Sequence, residues 1–74
     1  MSRAPSSAEI IAALGRAGFV QFSQRGSHVK FRKTTPERTL TVIVKHPAKD
    51  VPKGTVSSIL KQAGMSRDEF DKLL

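Results

Sequence analysis

Two side chains in this 74-residue sequence, His28 and His46, ordinarily titrate near neutral pH, and their settings differ. His28 stands in "RGSHVKFRK" (25–33), a basic run that alternates like a strand. Val29 and Phe31 fall on one face, and His28, Lys30 and Arg32 on the other. Alternate residues of a strand lie about 7 Å apart. A phosphate held by Lys30 or Arg32 would therefore come within reach of the imidazole. If that phosphate belongs to RNA, the adjacent 2′-hydroxyl is a built-in nucleophile. The protein then has to supply only a proton carrier and positive charge against the developing phosphorane. Ribonuclease chemistry is the least demanding reaction these residues support. Against it stands the plainer reading, in which a strand histidine among lysines is simply an exposed polar residue.

The remaining candidates divide in the same way. Ser27 could hydrogen-bond a phosphate or merely finish the turn that Gly26 opens. Lys45 adds a cation to the outward side of the third strand. Lys53 precedes the second helix, where free amides and the helix dipole favour an anion; it reads equally as a solvated loop lysine. His46, before Pro47, reads as a turn residue with its ring stacked on the loop. No metal or cofactor is expected. No carboxylate cluster suited to holding a metal is expected, Glu37 and Asp50 stand alone in loops, and no glycine-rich phosphate loop is present. With no cysteine, disulfides and thiolate-bound zinc are excluded.

The elements that must position these groups are legible from periodicity and caps. Ser6 and Glu9, then Ser66 and Glu69, have the spacing of capping boxes. Ile10, Ile11, Leu14 and Ala17 recur at helical spacing, and Gly18 is placed to end that helix. "FVQFSQ" (19–24) predicts a first strand, with Val20 and Phe22 on one face and Gln21 and Ser23 on the other. The spacing predicts a second strand over 27–33 and a third over 39–45, the latter with Leu40, Val42 and Val44 inward and Thr41, Ile43 and Lys45 outward. A helix over about 55–63 carries Val56, Ile59, Leu60 and Ala63, and a last short one carries Phe70, Leu73 and Leu74. Phe19, Phe22, Phe31 and Phe70 are expected in the core, Phe19 facing outward only if the first strand starts there. The order α-β-β-β-α predicts an α+β fold of double-stranded-RNA-binding type. It is a three-stranded antiparallel sheet with helices on one face and the other face open to solvent.

Charge agrees with that open face. The net charge is +7, and residues 16–61 hold ten basic residues against two acidic ones. A basic middle is the footprint of a polyanion binder, though a solubility-promoting surface or an acidic protein partner would leave a similar one. The length fits a single domain, 1–74. No apolar run is long enough for a membrane span and the start lacks a signal-like apolar segment, so a soluble, cytoplasmic protein is expected.

"GSHVKF" (26–31), followed by "HPAKDVPKGTVSSILKQAGMSRDEF" (46–70), resembles the HicA family of small toxins from type II toxin–antitoxin systems. The similarity runs from about Ile11 to Leu74. It implies an endoribonuclease, an mRNA interferase acting without the ribosome, whose catalytic histidine is His28, with Gly26 and Ser27 at the turn. It further implies a HicB antitoxin that covers the His28 face and contacts operator DNA through its own second domain, so that DNA is reached only indirectly. Two rivals use the same charge without chemistry: a non-catalytic RNA-binding module of double-stranded-RNA-binding type, and a domain that docks an acidic protein.

Overall fold

The computed structural model describes residues 4–74, so the expected lack of a signal segment bears partly on residues 1–3, outside the described part. Six elements follow in order: α1 (Ser7–Arg16), β1 (Val20–Arg25), β2 (His28–Thr34), β3 (Thr39–Lys45), α2 (Lys53–Ala63) and α3 (Arg67–Leu73). The strands form one antiparallel sheet in the order β1-β2-β3, with β2 central. Val29, Phe31, Val42 and Val44 point from the sheet into a core shared with Ile10, Leu14, Val56, Ile59, Leu60 and Phe70 of the helices. The fold is α+β, with the helices on one side of an open three-stranded sheet.

Both capping boxes form. Glu9 N–H donates to Ser6 Oγ at 3.1 Å, and Ser6 N–H to Glu9 Oε1 at 2.9 Å. Ser66 and Glu69 repeat the exchange at 3.1 and 3.0 Å. Each pair satisfies two amides that a helix start would otherwise leave unpaired. Helix α2 begins at Lys53, two residues before the expected start, because Pro52 already serves as its N-cap and accepts from Val56 N–H at 2.9 Å. It ends on Gly64 at φ 66°, a left-handed conformation that suits glycine.

The first strand departs from expectation. Phe19, outward only had the strand begun with it, is buried at 5 % exposure, whereas Phe22, expected in the core, is 43 % exposed. Two local causes account for the arrangement. Phe19 N–H donates to Leu14 O at 2.9 Å, so the chain is still turning off the helix there and β1 begins one residue later. A β-bulge then interrupts the alternation: Gln21 pairs with Phe31 and Ser23 with Lys30, leaving Phe22 as the extra residue. Val20, opposite Arg32, also faces out, at 67 % exposure.

Two tethers fix the rest of the frame. Gln62 Oε1 of α2 accepts from Ile43 N–H at 3.0 Å, partly closing the open edge of β3. At the other end, Ser7 N–H donates to Ala48 O and Ala48 N–H to Ser7 Oγ, both at 2.8 Å, joining the start of α1 to the loop after β3. Ser7 is buried.

Candidate functional site

The register sorts the solvent-facing side of the sheet into rows. Arg25 pairs with His28, and His28 with Lys45, so the imidazole has a cation directly across each neighbouring strand. The next row is Ser23, Lys30 and Ile43; the one after it is Val20, Arg32 and Thr41, with Phe22 beside Arg32. Directly opposed residues have Cβ atoms about 5 Å apart, so an anion lying over His28 would meet three positive side chains, from Arg25, Lys45 and Lys30. Positive side chains converging on one position from three sides favour an anion there.

The turn that presents His28 has two residues. Gly26 takes φ 60°, while Ser27 does not have positive φ, the pattern of a II′ hairpin turn whose twist suits the flanking strands. A Cβ at Gly26 would meet no atom within 4 Å, so the backbone angle, and not space, calls for glycine there. His46 N–H donates to Ser27 O at 2.7 Å and docks the turn on the loop after β3. Ser7 Oγ lies 2.7 Å from His46 Nδ1. The same hydroxyl accepts from Ala48 N–H, so one side chain of α1 holds both the His46 ring and the loop after β3. His46 is thus a strut between α1 and the turn, in keeping with its reading as a structural residue.

Gly26, Ser27, Lys30, Arg32 and Lys45 all lie on or beside the His28 face. The ring of His28 is exposed, and no side-chain hydrogen bond to the described residues holds it. Lys53 is elsewhere. It opens α2 in the helical layer and lines a recess with Pro5, Val56, Arg67 and Asp71. Arg25 is the residue the sequence reading passed over, because "RG" reads as the turn itself; a two-residue loop at Gly26–Ser27 makes 25 and 28 partners. Among the described residues, no three His, Cys, Asp or Glu side chains gather as metal ligands, and no helix is long and apolar enough to cross a membrane.

A family model described as the HicA toxin of bacterial toxin–antitoxin pairs matches residues 7–65. The chain belongs to the HicA toxin family. The match takes in α1, the whole sheet and α2, and so includes the His28 turn, the cationic rows and the Ser7–His46 strut; α3 lies beyond it. A HicA toxin is one half of a toxin–antitoxin pair, so an antitoxin partner goes with this membership. The comparison with curated proteins finds no match.

Proposed function

We propose that this HicA-family toxin is a metal-independent endoribonuclease that cleaves mRNA in the cytoplasm, with His28 as the proton-transfer group. The observation that carries the reading is the row Arg25–His28–Lys45, an unpinned imidazole set between two cations on an open sheet face. In the reaction the ribose 2′-oxygen forms a bond to the adjacent phosphorus and the phosphorus–5′-oxygen bond breaks. One proton leaves the 2′-hydroxyl and one arrives at the departing 5′-oxygen. His28 carries a proton in this exchange, while Arg25, Lys30 and Lys45 oppose the charge gathering on the phosphorane. The nucleophile comes from the substrate, so no metal-bound water is needed.

The same face suits the partner. A HicB antitoxin lying over His28 would exclude RNA from the side of the sheet that the helices leave uncovered, silencing the enzyme without touching its fold. The test is incubation of the protein with single-stranded RNA and a chelator. RNA is expected to be cut and DNA of the same sequence, which lacks the 2′-hydroxyl, to survive. Cleavage of both, or cleavage abolished by the chelator, would overturn the reading.

A further inference from the structure

An exposed phenylalanine is an unusual thing to leave on a cationic sheet. Phe22 sits there because the bulge turns it out, and the guanidinium carbon of Arg32 lies 4.1 Å from its ring centroid. The stack borders a recess of about 360 Å³ lined by Gly18, Val20, Phe22, Arg32, Lys33 and Thr34. This recess therefore joins two apolar side chains, two cations and a hydroxyl. None of these groups is drawn into the row that holds His28.

We propose that Phe22 and Arg32 form a stacking platform for one nucleobase of single-stranded RNA, a subsite distinct from the point of cleavage. The proposal rests on the reading of the His28 face as an RNA site. Three features select a nucleotide over another occupant. A base has a flat π-face that stacks on a phenyl ring or on a guanidinium held flat above one. The backbone joined to that base is anionic, and Arg32 and Lys33 border the recess. The platform also lies on the line the RNA would take, since Arg32 is four residues from His28 along β2, about 13 Å. That span is longer than one nucleotide bridges comfortably and within the reach of two. The base on the platform would thus be a near neighbour of the cleaved bond, and Phe22 and Arg32 would set the register of the strand over His28. Stacking tolerates any base, so the platform contributes affinity and register more than sequence choice.

The test uses the full chain carrying His28→Ala, which removes cleavage, and a short fluorescent single-stranded RNA as probe. In that background Phe22→Ala and Phe22→Leu are expected to weaken binding about tenfold, while Phe22→Tyr, which keeps the ring, binds as Phe22 does. Phe22 is exposed, so all three should fold; circular dichroism checks this. A series of RNAs with one abasic site moved along the strand should contain a position at which the Phe22→Ala protein and its Phe22 parent bind equally. Unchanged binding with Phe22→Leu, or a deficit that no abasic position removes, overturns the platform. So does normal RNA binding combined with a weakened antitoxin complex, which would assign the patch to the protein partner. The two readings separate cleanly. Phe22-dependent binding by a chain that never cuts RNA keeps the platform and removes the nuclease; full-rate cutting and normal binding by Phe22→Leu in an otherwise unaltered chain does the reverse.

Discussion

Arg25 and His28 face each other across the Gly26–Ser27 turn as the first cross-strand pair of the β1–β2 hairpin. This pairing makes the turn part of the site, because its geometry sets how the cation and the imidazole meet. Gly26→Ala tests the dependence. The added methyl has room, but φ 60° costs an L-residue about 1–2 kcal/mol. A loss of that size in denaturant unfolding is expected, with RNA cleavage falling further than the loss of folded protein explains.

The cations flanking His28 should behave as phosphate contacts. Arg25→Ala and Lys45→Ala are each expected to weaken RNA binding and to lower the slope of log affinity against log salt by about one. Stability should change little, because both side chains are exposed. Lys53→Ala, on the helical layer, should leave that slope unchanged. Salt titrations of the three variants check the set.

How far such a surface can be read from sequence depends on the strand. In β2 and β3 the alternation is regular, and the expected inward and outward sets of Val29, Phe31, Val42 and Val44 against His28, Lys30, Thr41 and Lys45 match the structure. In β1 it fails, because a bulge is one residue of local backbone geometry that hydrophobic spacing does not encode. Phe22 faces solvent for that reason. Arg25 was hidden for a different reason: turn propensity marks where a hairpin bends, and only the loop length decides which residues oppose each other. The two capping boxes were legible because their chemistry is local. The contact from Ser7 to His46 spans 39 positions and could not be.

That contact predicts a separation of stability from activity. Ser7→Ala leaves the part-buried amide of Ala48 without its acceptor and removes the hydrogen-bond partner of His46 Nδ1, at an expected cost of about 1–3 kcal/mol. The folded fraction should cut RNA at the normal rate. Comparing thermal unfolding with cleavage per folded molecule tests this; a catalytic loss at full stability would instead give His46 a chemical role.

Acid should loosen the last helix. The Ser66 backbone N–H, and then its side chain, hold the Glu69 carboxyl below the usual glutamate range. A folded-state value below the unfolded one adds stability above the ordinary glutamate range, and that stability is lost as the pH falls through the lowered value. Glu69→Gln should therefore narrow the gap in melting temperature between neutral and acid solution. An identical gap in both proteins would dismiss the capping carboxylate as its source.

The central claim is that the His28 imidazole moves a proton during RNA cleavage, and single-turnover cutting by His28→Ala tests it most directly. With chelator present and RNA binding measured alongside, the variant should bind RNA about as tightly as the unaltered protein and cut it at least about a hundredfold more slowly. Cutting by His28→Ala at the full rate, under the same conditions, would contradict the account.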